Sequence, residues 1–419
     1  MAEHVMVFGS GGDMPARFRA AGPEIVTTLM CRLDHIPRLL DPTGHERVVA
    51  LPADASDAEW VDMARAVHAT QPVTRIAMFG EHDQDRAAVV GAALGLATHP
   101  VEVVHRVHHK EAMRRRLRET GVEEVPAVLV TDAGGIRDFG AACGFPCVVK
   151  PVGGTASFGV SMVSDPSGAD VAFSRAAGEH DGVRLKEVLV ERFFVGDQYS
   201  VEGFSEGGEH VVAAITRKYS DPRTLVELGH ALPAPLDDAQ RGEISAYVAR
   251  VLDALGVEFG PTHTEIVLTA DGPRIIETHL RAGGDDIFAM VADAVGVDLL
   301  DFQVRQTLGE KVLPEIRAVL EDAERPRRCD AIWFATAPAA GELVEITGAE
   351  PTVEYPHVLP KALVRPGAVL TGLGSSYSRL AQARAHATDA ESALSAARDA
   401  VGRMRFLTRV TGVPPHDIC

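Results

Sequence analysis

Thr262-His263-Thr264-Glu265-Ile266-Val267-Leu268 and Arg274-Ile275-Ile276-Glu277-Thr278-His279 stand on either side of Ala270-Asp271-Gly272. The flanks have the make-up of two strands, and the centre is a turn-forming tip. Folded symmetrically about Asp271, the hairpin sets Glu265 opposite Glu277 and His263 opposite His279. Side chains alternate faces along a strand, so these four share one face. Thr264, Ile266, Leu268, Ile276 and Thr278 are left for the packing face. Directly opposed Cβ atoms lie ~4.5–5.5 Å apart. Two carboxylates that close repel unless one is protonated or a cation lies between them. The pair therefore points to a divalent metal site rather than a solvated polar face. Two carboxylates together with phosphate oxygens suit Mg²⁺, whereas the histidines are better suited to Zn²⁺ or Mn²⁺. Arg281-Ala282-Gly283-Gly284-Asp285 follows at once, adding a cation and two glycines that permit close approach. Metal, cation and little covalent chemistry are what phosphoryl transfer needs.

Working outward, Val148-Val149-Lys150-Pro151 reads as a buried strand, Pro146–Lys150, that delivers a lysine at its end. Gly153-Gly154-Thr155-Ala156-Ser157-Phe158-Gly159-Val160 follows as a mobile loop whose backbone N–H groups can approach an anion. The lysine precedes the glycines, so this is not a P-loop; a flexible turn beside a salt-bridged lysine is the other reading. The helix Lys110–Thr120 is strongly basic, and its three consecutive arginines read as a solvated face. Residues 187–218 read as three antiparallel strands with turns at Gly196-Asp197 and Gly207-Gly208. A long amphipathic helix, Asp237–Leu255, ends at Gly256, and a hairpin spans 261–279. His4–Gly9 and Arg75–Phe79 are strands, and Asp83–Leu96 is a helix. This alternation makes a parallel-sheet domain to about residue 105. Ser10-Gly11-Gly12-Asp13 lacks the next glycine of a dinucleotide fingerprint, since residue 14 is Met14. From Cys329 short strands with Pro and Gly turns lead to an Ala-rich helix, Asp389–Arg403.

A chain of 419 residues with 46% hydrophobic and 24% charged residues supports more than one domain. Its formal charge of −18 argues against a nucleic-acid binder, because phosphate contacts need clustered cations. Only six of the 41 cations are lysines, Lys110, Lys150, Lys186, Lys218, Lys311 and Lys361, so each merits inspection. No apolar run reaches the ~20 residues that cross a bilayer. Met1-Ala2-Glu3-His4 has no basic signal-peptide start. Cys31, Cys143, Cys147, Cys329 and Cys419 show no pairing or zinc rhythm and read as reduced thiols. A cytoplasmic protein without membrane or nucleic-acid partners is expected.

Taken in order, Lys110, Lys150 with its glycine loop, Glu191-Arg192-Phe193-Phe194-Val195-Gly196, Glu265 and Glu277-x-His279-x-Arg281 resemble the ATP-grasp superfamily over essentially the whole chain. Arg281-x-Gly283-Gly284-Asp285 is particularly similar to its L-amino-acid ligase branch. The resemblance implies a mixed α/β and α+β ATP-grasp fold. It divides the chain into a parallel-sheet pre-ATP-grasp domain (1–105), a linker helix and lid (106–187), the core with the metal hairpin (188–328) and a C-terminal antiparallel subdomain (329–419). It implies that Lys110 and Lys150 contact ATP phosphates under the closing loop, through Gly153, Gly154, Thr155, Ser157, Phe158 and Gly159. The strand Val188–Val195 would line the adenine pocket, with Glu191 and the main chain of Phe193, Phe194 and Val195 near the base, and Gln198 or Glu202 at the ribose. Glu265 and Glu277 would bind metal, and Arg281, with Lys150, would act in catalysis on the transferred phosphoryl group. His230 falls among the ligases' substrate contacts, as do Arg281, Gly283 and Gly284; a capped loop histidine is the alternative for His230.

The family usually has Asn where this chain has His279, which leaves open a second metal or a preference for Mn²⁺ over Mg²⁺. The implied reaction forms an acyl phosphate and ADP, after which an amine displaces phosphate. A homodimer is a family expectation. Three rivals stay open: a biotin carboxylase, although the chain has no Met-Lys-Met biotinyl site; a metal-dependent hydrolase using His263, Glu265, Glu277 and His279; and a nucleotide-binding regulator without turnover.

Overall fold

The structure, a computed structural model, describes residues 3–10, 12–180, 183–184, 187–322, 328–337, 340–351 and 357–409. Gly11, Lys186 and Cys419 of the sequence reading lie outside the described residues.

The N-terminal strands form a parallel sheet in the order Arg47–Leu51, Val26–Arg32, His4–Phe8, Arg75–Met78. His4–Phe8 is buried along its whole length, as a central parallel strand covered on both faces must be. Met6 and Phe8 pack on one face with Trp60 and Val67 of the helix Asp57–Thr70. Ser56 and Glu59 start that helix with a capping box. Val5 and Val7 pack on the other face with Ile287, Met290 and Phe302 from the helices Ile287–Val295 and Leu299–Thr307. The parallel sheet thus shares its core with the middle of the chain, and the loops at its C-terminal ends meet the hairpin there.

A second, antiparallel sheet has the order Ala127–Val130, Val188–Arg192, Cys147–Pro151, Ser161–Val163. The helices Ala133–Cys143 and Ala169–Ala176 cover it. This corrects the reading of 187–218 as three consecutive hairpin strands. Val188–Arg192 belongs to this small sheet, and the chain then crosses to a larger one at Gly196. There a Cβ would lie 2.2 Å from the Leu268 carbonyl oxygen, so the crossing demands glycine. The adenine-lining strand expected to reach Val195 accordingly ends at Arg192.

The larger sheet has eight antiparallel strands in the order Gly272–His279, Phe259–Thr269, Asp197–Glu206, Glu209–Ser220, Glu227–Leu232, Cys329–Ala335, Ala381–Ala387, Val358–Ala362. The helix Asp238–Leu255 backs the hairpin, capped by Asp237 and stopped by Gly256 at φ 82. Strands from beyond residue 329 extend this same sheet, and small side chains, among them Ala331, Ala383, Ala385, Ala393 and Ala397, let the helix Ala390–Arg403 settle on it. Val369–Leu370, Gly341–Thr347 and Arg405–Arg409 make a separate three-stranded sheet. None of the described helices is long and apolar enough to cross a membrane.

Candidate active site

Glu265 pairs across the hairpin with Glu277, and His263 with His279. The register reaches these pairs by a different route from the symmetric one. Thr269 opposes Gly272, so the turn is centred between Ala270 and Asp271, and a bulge next to Glu265 restores the expected partners. The bulge exchanges two isoleucines. Ile275 is fully buried in the core, while Ile276, assigned to the packing face by simple alternation, lines a cavity on the functional side. On the packing side Thr264 and Thr278 share a hydrogen bond of 2.7 Å.

Cations resolve the repulsion between the two carboxylates. Lys218 Nζ lies 2.5 Å from Glu265 Oε1, and Lys110 Nζ lies 2.9 Å from Glu277 Oε2. His263 Nε2 and His279 Nε2 each stand 3.4 Å from the neighbouring carboxylate. Burial pushes the Glu265 carboxyl up, but Lys218 and His263 outweigh it and hold the group down at about 2. Burial likewise raises Glu277, and Lys110 with His279 holds it well below the usual range. Burial disfavours the His263 imidazolium, yet Glu202 at 2.8 Å raises it to about 9.

The first cavity lies between the small sheet and the hairpin. Lys110, Lys150, Phe193, Phe194, Gln198 and Ile276 line it, with Gly154, Thr155, Ser157 and Phe158 of the glycine loop. Lys110 Nζ also donates to the Gly154 carbonyl at 3.0 Å. Gly153 and Gly159 flank the lining residues. Gly159 has φ 72, and a Cβ there would come within 3.0 Å of the Arg175 carbonyl oxygen. Lys150 is buried, with Nζ 2.5 Å from Glu191 Oε1. Burial pushes the Lys150 ammonium below the ordinary lysine value, and Glu191 opposes that shift.

Three expectations need correction here. Glu191 lines the cavity, but its carboxylate is taken up by Lys150 and by Arg114 Nε at 2.9 Å. Burial raises it, and these cations bring it to about 2, so it anchors Lys150. Arg114, read as part of a solvated face, is buried between Glu191 and Glu123. Glu202 shares a strand face with Gln198 but lies four residues further along, ~13 Å at the strand rise, opposite His263. It is fully buried beneath that histidine and is not at the cavity where a ribose would sit.

A second cavity, of about 720 Å³, opens on the other side of the glycine loop. His230, His279, Arg281, Gly283 and Gly284 all line it. His230 is a buried strand residue rather than a loop cap, and its Nε2 lies 3.0 Å from Asp285 Oδ2. Arg379 grips both Asp285 oxygens at 2.7 and 2.6 Å. Arg281 donates to Glu81 at 2.8 Å. A Cβ on Gly283 would lie 2.8 Å from Glu202 Oε2, whereas one on Gly284 would meet nothing within 4 Å. Sequence reasoning singled out none of Glu81, Glu227 or Arg379, and noted Lys218 only as one of six lysines. Glu81 follows the C-terminal end of a parallel strand, where ligands bind in open α/β sheets, and that signal was available.

Among the described residues no group of three or more His, Cys, Asp or Glu side chains is disposed to hold a metal ion. His279 turns Nε2 to Glu277 and Nδ1, at 3.4 Å, to Glu81. What the hairpin offers is two carboxylates held ionised by the neighbouring Lys110 and Lys218, a donor set that fits Mg²⁺, which takes one or two carboxylates and completes its shell with phosphate oxygens and water.

Residues 143–288 match the ATP-grasp domain, and residues 333–409 match L-amino acid ligase C-terminal domain 2. The chain therefore carries an ATP-grasp domain. Its C-terminal part is similar to the C-terminal domain of the L-amino acid ligases. It is 30% identical over 281 residues to the uncharacterized protein y4rH of Sinorhizobium fredii, covering 67% of this chain and 56% of that one. Alanine–anticapsin ligase of Bacillus subtilis is 27% identical over 229 residues, covering 49% of this chain and 48% of that one. The chain thus spans about half the length of these relatives. The crystal structure of L-amino acid ligase from Bacillus licheniformis superposes with a TM-score of 0.81 at 20% identity, covering 97% of this chain and 99% of that one, a likeness of fold.

Proposed function

We propose that this protein is an ATP-dependent carboxylate–amine ligase. It would phosphorylate the carboxylate of an amino acid or related small acid and couple it to an amine, releasing ADP and phosphate. The observation that carries this reading is the boundary between the two cavities. Lys218, Glu227, Glu265, Glu277, Thr155 and Ser157 line both, so a nucleotide in the first and a small acid in the second would meet at the paired carboxylates. Lys110 and Lys150 would contact the nucleotide's phosphates, and Arg281 the phosphoryl group in transfer. Glu265 and Glu277 would hold Mg²⁺, which when bound neutralises phosphate charge. Mn²⁺ would be favoured only if His279 gave up a contact to become a ligand. The glycine loop would keep water from the acyl phosphate. The L-amino acid ligase match of the C-terminal domain supports an amino-acid substrate.

The test is phosphate release with ATP and Mg²⁺ over single amino acids and their pairs, with bicarbonate plus biotin as a separate arm. Release that needs both an acid and an amine supports the reading. Release with bicarbonate and biotin alone, or hydrolysis without nucleotide, overturns it.

A further inference from the structure

We propose that the turn Ser375–Arg379 latches the glycine loop shut, and that Ser376 is a positioning residue that keeps ATP consumption coupled to amide formation. This rests on the ligase reading above. Ser376 N donates to the Ala156 carbonyl at 3.0 Å, and Ser376 Oγ donates to Glu227 Oε2 at 2.6 Å. Ser157 Oγ donates to the other oxygen of the same carboxylate at 3.2 Å. One glutamate thus ties the loop to a turn more than 200 residues away in the chain. Ala156 and Ser157 have φ 55 and 57. The left-handed region disfavours both residue types, and such conformations persist where surrounding contacts hold them; the contacts to Ser376 and Glu227 do so here.

The loop has a second tether on the nucleotide side, from Lys110 to the Gly154 carbonyl. A phosphate binding Lys110 would compete for that tether, leaving Ser376 and Glu227 to hold the loop during turnover. The latch is itself connected to the second cavity. Arg379 Nε donates to the Ser376 carbonyl at 2.7 Å, while its guanidinium grips Asp285 and stacks 3.7 Å from the Phe334 ring centre. Asp285, which lines that cavity, is therefore one side chain removed from the turn that closes the loop. An open loop admits water to the acyl phosphate. Attack at the acyl carbon forms a new C–O bond, breaks the bond to the phosphate oxygen, and returns the free acid with inorganic phosphate and a proton. ATP is then spent without amide.

Ser376 is the first residue of its turn and follows an extended Ser375. Proline is tolerated there, so Ser376→Pro removes the N–H and the hydroxyl with little disturbance of the turn. Ser376→Ala removes the hydroxyl alone, and Ser376→Thr keeps both groups. The ratio of amide to phosphate is expected to fall about thirtyfold in Ser376→Pro, the scale of two lost hydrogen bonds, with a smaller change in KM for ATP. It should fall less in Ser376→Ala and return in Ser376→Thr. Hydrogen exchange of the amides at 153–160 in nucleotide-free protein should quicken in the same order. Unchanged exchange in Ser376→Pro overturns the latch, and quicker exchange with an unchanged ratio overturns its role in coupling. Ser376→Ala serves if the proline variant does not fold. A parent protein that forms no amide defeats the ligase reading instead, and the exchange measurement still decides the latch.

Discussion

Lys218 Nζ sits 2.5 Å from Glu265 and 3.3 Å from Glu227, so one buried ammonium joins the hairpin carboxylate to the carboxylate that holds the glycine loop. Breaking a buried pair by removing one partner leaves an uncompensated charge and costs roughly 3–5 kcal/mol. Lys218→Met is therefore expected to lower thermal stability and abolish turnover. Adding Glu265→Gln should recover part of the stability and none of the turnover, as thermal melts and phosphate release would show. Full stability in the single variant would remove the pair from the account.

Glu277→Gln should cost more turnover than nucleotide affinity. On the proposed reading, most binding contacts would come from the cavity walls and lysines, whereas a metal held by the carboxylate would be needed as charge develops in transfer. Isothermal titration beside steady-state rates separates the two quantities. A maximal rate within about twofold of the parent contradicts Glu277 as a metal-binding residue.

His279 has both ring nitrogens directed at carboxylates. Its replacement by Asn is accordingly predicted to lower turnover while leaving the preference between Mg²⁺ and Mn²⁺ unchanged. A shift toward Mg²⁺ in the variant would make the imidazole a ligand after all.

Asp83 carries a pH dependence of stability away from the site. Burial, then Asp34 and Asp85, raise its pKa from 3.8 to about 6 against the pull of Arg32; its contacts to the Arg32 guanidinium and to His35, which burial pushes down to about 4, are 3.8 Å long. The native state holds this proton more tightly than the unfolded chain, so the stability it confers is complete below about 4 and lost as pH rises through about 6. Asp83→Asn keeps a residue tolerant of φ 67. It should raise the melting temperature by about 2 °C at pH 8 and leave it unchanged at pH 4. An equal shift at both pH values would contradict the buried charge.

The hairpin was legible because alternation and a short turn determine which side chains oppose one another, and Glu265 and Glu277 did so. The bulge beside them was not, because it adds a residue without changing the residue types, and Ile275 and Ile276 are interchangeable to a periodicity argument. Long-range partners account for the other misses. Arg114 looked solvated because nothing local predicts Glu191, 77 positions away, and Glu191 looked available to a base because Lys150 and Arg114 meet it only in the folded sheet. Lys218 was noticed as a rare lysine, but the strand pairing that aims it at Glu265 involves three separate segments. The glycine loop and its lysine were readable as local chemistry; the turn at Ser376 that holds the loop was not.

The acyl-phosphate route is tested most directly by following the substrate's oxygen. With a carboxylate substrate labelled by oxygen-18, ATP, Mg²⁺ and an amine, the account predicts ADP and inorganic phosphate that carries one labelled oxygen for each amide formed, read by mass spectrometry. Amide formation with unlabelled phosphate, or with the label in AMP, would contradict it.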